Sequence, residues 1–215
     1  MCWNKDVSLN TFLFSGFVLL LVIYNNNYTQ YKSWGLDNFW MYVFFMSFIL
    51  MQLIEYFIWR NIDNAFYNNV FSVMATVLIT LQPAASLMLL SSTDLRNTML
   101  GAYSTLAIPY VIYKLFVART DPHSKITKKG HLQWRFLDTT PIVPVIWFFF
   151  FFFSFIYEKI WGGIGLGLSA FALSYYNYKT DQSMFSMWCW LVNAVMIYYA
   201  AGLIFYLPYK ELFAL

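Results

Sequence analysis

Long apolar blocks alternate with short polar joints along the chain. A helix needs about 20 apolar residues to cross the roughly 30 Å of hydrocarbon in a bilayer. Because backbone polar groups need partners in lipid, such blocks form helices rather than open strands. Seven blocks are found, at about 9–26, 38–59, 68–91, 98–118, 137–157, 160–178 and 184–206. The pattern predicts an all-α, polytopic membrane helix bundle with seven transmembrane helices. Six spans is the alternative, because the sixth block is short.

Composition agrees with the membrane class. Of the 215 residues, 60% are hydrophobic and 11% are charged, whereas soluble domains carry about a quarter charged residues. No repeat and no separate soluble domain is visible, so residues 1–215 are predicted to form a single transmembrane domain in the lipid bilayer. The net charge of +3 is too small and too local to suggest nucleic-acid binding.

Lysine and arginine are unevenly distributed between the two sides of the predicted bundle. Nine of the 13 lie on one side, namely Lys5, Arg60, Lys114, Arg119, Lys125, Lys128, Lys129, Arg135 and Lys179. The other four are Lys32, Arg96, Lys159 and Lys210. Since cytoplasmic loops carry an excess of Lys and Arg, the N-terminus is predicted to lie inside and the C-terminus outside.

Two local patterns indicate how the helices pack. The run from Trp147 to Phe155 is apolar all round, so we interpret it as lipid contact rather than as a stacking site. Gly163 and Gly167 are four residues apart, a spacing that lets another helix approach closely.

Polar residues inside the second span are the first candidates for a site, because such groups are costly in a membrane. Gln52, Glu55 and Trp59 follow a spacing that puts them on one helical face. Glu55 is the only acid well inside a span. It is either functional or a structural carboxylate that pairs within the bundle.

The last span carries a second polar stripe. Gln182, Ser186, Cys189 and Asn193 step by four, three and four residues, again on one face. Hydrogen bonds between helices would by themselves explain such a stripe. Cys189 and Glu55 are nevertheless predicted at a similar depth below the inner surface.

Four metal-ligand side chains are predicted on the inner side, namely Cys2, Glu55, His131 and Cys189. Two thiols, a carboxylate and an imidazole form a complete ligand set for zinc or copper. The same groups could supply a Cys–His nucleophile pair. Spacing along the chain does not decide between these hypotheses, since the four come from four segments.

The chain also resembles a poorly characterised family of small multi-pass membrane proteins of unknown function. Members begin Met-Cys-Phe-Ser-Ala-Thr-Ala-Ser-Phe, and carry Gln-Gln-x-x-Glu-Gly-x-x-Trp in span two, Gly-His-Ile in the inner loop and Trp-Cys-Phe in the last span. The matching residues are Met1, Cys2, Ser8, Gln52, Glu55, Trp59, Gly130, His131, Trp188 and Cys189. Asn4, Met51 and Tyr56 depart from the pattern. The resemblance implies that Cys2, Glu55, His131 and Cys189 occur together as a set, which favours a joint site.

Three functions follow as alternatives. The first is binding or transport of a small molecule or ion through a polar inner-side pocket, with ligand-binding candidates Gln52, Glu55, Trp59, Ser186, Trp188 and Asn193. The second is a membrane-embedded metal protein or enzyme that uses Cys2, Glu55, His131 and Cys189. The third is a structural or assembly protein without a ligand. Each of these alternatives is compatible with a homo-oligomer.

A retinal-binding opsin also has seven helices. Its pigment is held by a Schiff base to a lysine in the middle of the last span. Residues 184–206 contain no lysine, so no retinal Schiff base is expected.

Overall fold

The computed structural model describes residues 4–29, 32–33, 35–117, 122–137 and 140–209. Helices dominate these ranges, which confirms the predicted all-α class. The helices are α1 (Lys5–Tyr28), α2 (Phe39–Arg60), α3 (Ala65–Leu87), α4 (Thr93–Ile112), α5 (Ile142–Tyr157), α6 (Trp161–Tyr178), α7 (Met184–Asn193) and α8 (Val195–Ala201). Two-residue strands β1 (Lys125–Ile126) and β2 (Leu132–Gln133) pair antiparallel in the long loop before α5.

Polar caps set where the first four helices begin. Asn4, Asn38, Asn64 and Ser92 each accept a backbone N–H of the first turn on their side-chain oxygen. Such caps satisfy donors that have no partner within the helix. Helix α4 begins at Thr93, five residues before the predicted start of the span, although the first turn of the helix is polar. The Ser92 cap explains this early start.

The described part of the chain has five helices long and apolar enough to cross a membrane. They cover Lys5–Tyr28, Phe39–Arg60, Ala65–Leu87, Thr93–Val117 and Met184–Tyr209. The fourth includes a π-helical turn, Tyr113–Val117, that continues α4. Helix α5 is apolar but shorter, with 16 residues, because the predicted start of its block forms a separate 3₁₀ turn, Arg135–Leu137.

Helices α3 and α5 lie side by side in the same direction. The indole N–H of Trp147 donates to the carbonyl of Ile79 at 2.9 Å. Further along, the hydroxyls of Ser86 and Ser154 are 2.6 Å apart. From the first contact to the second, the residue numbers increase by the same amount on both helices. The two helices are therefore parallel.

Helix α7 packs antiparallel to α2 and to α6. Ser186 of α7 contacts Glu55 of α2, whereas Asn193, further along α7, donates to the carbonyl of Phe48 at 3.2 Å. The hydroxyl of Ser174 on α6 donates to the carbonyl of Met184, at the start of α7. The indole N–H of Trp188, further along α7, donates to the carbonyl of Gly167, earlier on α6, at 3.0 Å. The directions of these helices agree with those of an up-and-down bundle.

The last predicted span is interrupted where α7 ends. The side-chain amide of Asn193 donates to the carbonyl of Cys189 at 2.9 Å as well as to that of Phe48. A side chain that enters the backbone ladder breaks or bends a helix. Consistently, the N–H of Ala194 bonds three residues back, to the carbonyl of Leu191.

Aromatic residues of α5 form much of the bundle core, which corrects the lipid-contact interpretation of this run. Phe151 and Phe155 are 3% and 4% exposed. Only one side of the run faces outward, as Phe149 shows with 56% exposure. The buried side surrounds Trp188 of α7, whose ring centroid lies 5.6 Å from that of Phe151.

Candidate functional site

The structure brings Glu55, Ser186 and Cys189 together in the interior. Glu55 is 0% exposed, and the hydroxyl of Ser186 donates to its Oε1 at 2.7 Å. Cys189 lies close enough to Glu55 for an electrostatic interaction. The polar stripes of the second and the last predicted spans therefore meet, because the antiparallel helices α2 and α7 turn these faces towards each other.

Gln52 and Asn193 extend this polar interface. Gln52 lies one turn before Glu55, is fully buried, and has no hydrogen-bond partner for either amide atom in the described ranges. The Oδ1 atom of Asn193 is likewise without a partner there. Trp59, the third member of the α2 stripe, is partly buried, and its indole N–H has no described partner either. Native proteins rarely leave buried polar atoms unsatisfied, so this interface is chemically unusual.

A cavity of about 70 Å³ lies next to Cys189, which forms part of its wall. It is large enough for about two water molecules or a very small ligand. Helices α3, α4, α5 and α7, the π-helical turn and the loop before α5 all contribute to its wall. The polar or aromatic lining residues are Thr76, Thr80, Gln82, Tyr110, Lys114, Trp134, Phe136, Trp147, Phe185, Trp188 and Cys189. Cys189 therefore joins the cavity to the Glu55–Ser186 pair.

The exposed lining of the cavity is mostly apolar, and a few residues of its wall carry hydrogen-bond donors. Lys114 is 8% exposed, and its ammonium donates to the carbonyl of Phe136. The Nε2 atom of Gln82 and the indole N–H of Trp134 are buried without a partner in the described structure. Thr80 instead donates to its own helix, at the carbonyl of Thr76. The few donors are suited to acceptor atoms on a small ligand, whereas the rest of the wall offers apolar contact.

Sequence reasoning missed Lys114 and Gln82 as site residues. Lys114 counted only as an inner-side charge, although it falls inside the predicted span 98–118. A lysine at that depth was the available signal, since charges within spans face a bundle interior or a cavity. Gln82 gave a weaker signal for a site. It directly precedes Pro83, and a proline within a span is readily explained as a packing kink.

His131 lies at the corner between α6 and α7. It follows Gly130, whose φ of +81° closes the β1–β2 hairpin in a backbone conformation that favours glycine. The Nε2 atom of His131 is 3.9 Å from Oδ2 of Asp181, and its ring meets Tyr178 edge-on at 5.2 Å. The contacts of His131 thus dock the hairpin on this corner.

The predicted zinc or copper set is only partly described. Cys2 lies outside the described residues. Across the ranges that the structure does describe, no three or more His, Cys, Asp or Glu side chains form a group that could hold a metal ion. Glu55 and Cys189 are neighbours, but His131 does not complete a metal-binding group with them.

Burial lowers the pKa of His131, and the nearby carboxylate of Asp181 opposes this effect without cancelling it. The folded protein then binds this proton more weakly than the unfolded chain does. The contribution of His131 to stability is therefore present above the pKa of the unfolded chain, and is lost as pH falls through the lowered pKa of the folded state.

Replacing Asp181 by Asn is expected to lower the pKa of His131 further, because the carboxylate favours the imidazolium form. An NMR titration of histidine-labelled protein measures this shift. Asp63→Asn, which removes an exposed carboxylate from the joint between α2 and α3, is the control and should leave the titration unchanged. An identical titration curve in Asp181→Asn would contradict the assigned contact.

Comparison with known proteins finds no matching family model, no matching curated protein and no matching solved structure. Fold and site by themselves define the class: a helical bundle whose described residues include five helices apolar and long enough to cross a membrane, with a polar interior beside a small cavity.

Proposed function

We propose that this chain is an integral membrane protein that binds a small molecule or ion in the cavity beside Cys189, or carries it through the bundle. The observation that supports this most directly is the cavity itself. Its wall combines Lys114 with the buried donors of Gln82 and Trp134. Buried donors and a buried cation gain most from a ligand that brings acceptor atoms.

The proposal includes seven crossings, with the N-terminus inside and the C-terminus outside. Five crossings are the long apolar helices. Helices α5 and α6 would supply the other two. Three observations favour this: α5 lies parallel to α3, α6 lies antiparallel to α7, and the ring of Phe148 on α5 contacts that of Phe171 on α6 at 4.8 Å. A helix that packs along the length of a membrane-spanning helix lies at the same depth in the bilayer, so α5 and α6 would cross with α3 and α7.

Acetate is the probe of choice, because it is a small carboxylate. In detergent-purified protein, acetate is expected to raise the melting temperature by about 2 °C or more relative to gluconate. Gluconate carries the same charge but is too large for the cavity. Lys114→Met should abolish this difference, since it removes the cation from the wall.

The matched control for that experiment is Lys128→Met, which removes an exposed lysine from the hairpin turn. It should respond to acetate as the wild type does. If acetate and gluconate give equal melting temperatures in wild-type protein, a small anion does not occupy the cavity. Proteoliposomes that also show no acetate flux would then favour a structural role, in which the polar stripes only join helices.

A further inference from the structure

A second concavity, larger than the cavity, opens on the surface between the beginning of α5 and the corner that joins α6 to α7. This groove has a volume of about 500 Å³. It shares Trp134, Leu137, Pro144 and Phe185 with the wall of the inner cavity. Its remaining lining residues divide into a polar end and an apolar floor.

The polar end of the groove holds two cations. Arg135 and Lys179 line it, and each begins a 3₁₀ turn, one before α5 and one after α6. Gln133 and Gln182 lie beside them and hydrogen-bond to each other across this end. Arg135 and Lys179 are the only ionisable side chains among the described residues that line the groove, so its polar end is positive.

The apolar floor begins directly below these cations. On α5 it runs from Pro144 and Val145 to Phe148, and on α6 it includes Phe171. The ring contact between Phe148 and Phe171, at 4.8 Å, closes the far end. Phe171 lies eight residues before Lys179, which is about 12 Å of helix rise. The groove is thus amphipathic along its length.

This gradient has the orientation that a membrane lipid requires. Helix α5 begins and α6 ends at the polar end, so the cations lie where these helices reach the membrane boundary. The floor extends from there to about two turns deeper, at the level of the hydrocarbon. Paired Arg and Lys side chains bind phosphate through charge-assisted hydrogen bonds, and basic pockets between membrane helices bind anionic headgroups.

We propose that the groove binds one anionic phospholipid, with its phosphate between Arg135 and Lys179 and the first part of an acyl chain on the apolar floor. This site rests on the membrane location proposed above, but not on the ligand of the inner cavity. The lipid also covers the shared wall of Trp134 and Phe185, and so limits access to the cavity from the bilayer.

Native mass spectrometry tests the site. Wild-type protein in detergent, offered equal amounts of phosphatidylglycerol and phosphatidylcholine with the same chains, should retain phosphatidylglycerol preferentially. Arg135→Gln combined with Lys179→Gln should weaken that retention roughly 10-fold. Lys128→Gln combined with Lys129→Gln removes the same charge from the exposed hairpin turn at the same end of the bundle, and should retain the lipid normally.

A variant of the floor separates a shaped site from general electrostatic attraction. Val145 is 62% exposed and lines the groove, so Val145→Trp fills the floor without changing any charge. We expect several-fold weaker retention of phosphatidylglycerol. Ile142 is 60% exposed on the same helix and does not line the groove, so Ile142→Trp is the control and should behave as wild type.

The proposal is overturned if both lipids are retained equally, or if the Arg135/Lys179 variant and the Lys128/Lys129 variant lose the lipid to the same extent. These outcomes leave the proposed function intact, because the acetate response depends on Lys114. Release of the wild-type protein from membranes by alkaline carbonate would instead contradict the membrane location, and the lipid site with it.

Discussion

Glu55→Ala is expected to lower the free energy of unfolding by about 3 kcal/mol, one of the two largest effects that we expect in this protein. The substitution removes a fully buried side chain and, with it, the hydrogen bond that its carboxylate accepts from the hydroxyl of Ser186. Cavity formation and a lost buried hydrogen bond each cost about 1–3 kcal/mol. Unfolding by dodecyl sulfate in mixed micelles measures the change.

Glu55→Gln separates shape from charge at the same position. Glutamine keeps an acceptor oxygen for Ser186, so its loss should be smaller than that of the alanine variant. Glu158→Ala is the control, because Glu158 also accepts hydrogen bonds from a serine, Ser91, at the rim of the bundle. This partly exposed contact should cost below about 1 kcal/mol. Equal losses in Glu55→Ala and Glu158→Ala would show that the α2–α7 contact contributes little.

Gly163→Val is expected to give the second large effect, a loss of about 1–3 kcal/mol through overpacking between α5 and α6. A Cβ atom at Gly163 would lie 2.5 Å from Cε1 of Phe155. The ring cannot move aside easily, because Phe155 is 4% exposed and packs 5.2 Å from the ring of Phe44. Gly167→Val should behave similarly, since its Cβ would meet Phe152 at 2.9 Å.

The same helix offers the control for these two variants. Gly162 and Gly165 have open space where a Cβ atom would lie. Valine there changes only the intrinsic helix propensity, by a few tenths of a kcal/mol. Thermal unfolding of the four variants side by side therefore isolates the close contact. Equal losses at all four positions would mean that propensity, rather than packing, dominates.

The apolar blocks of the sequence predicted where the helices lie, because the need to satisfy the backbone in lipid leaves only one local solution. The predicted ends of the helices were less accurate. The third block was predicted to reach residue 91, whereas α3 ends at Leu87. The reason is that the joint before Ser92 contains Leu89 and Leu90, which are buried beside the helices without being part of one.

Packing partners could be predicted only where the backbone itself limits them. The spacing of Gly163 and Gly167 predicted a close helix approach, and in the structure the rings of Phe155 and Phe152 on α5 occupy the space that side chains at these positions would need. The phenylalanine run gave no comparable information. Its residues are apolar whether they face lipid or the core. Their burial is decided by neighbours on other helices, such as Trp188 beside Phe151 and Tyr103 beside Phe150.

Parts of the candidate site were accessible from helical periodicity. Glu55 and Ser186 occupy polar faces that the sequence identified, and they meet because α2 and α7 are antiparallel neighbours. His131 illustrates the opposite case. It lies in a loop whose fold depends on the β1–β2 hairpin, and its contacts are Asp181 and Tyr178. No periodic pattern exists in such a loop, so its partners could not be predicted.

The sequence alone determined that this chain forms apolar helices and which faces of them are polar, because both depend on residues close together in the chain. The tertiary structure alone decided that Lys114, Gln82 and Trp134 share a cavity wall, and that Arg135 and Lys179 meet at one groove. These residues come from separate helices and loops. Their convergence depends on helix neighbours and directions, which are set by packing between distant segments rather than by local pattern.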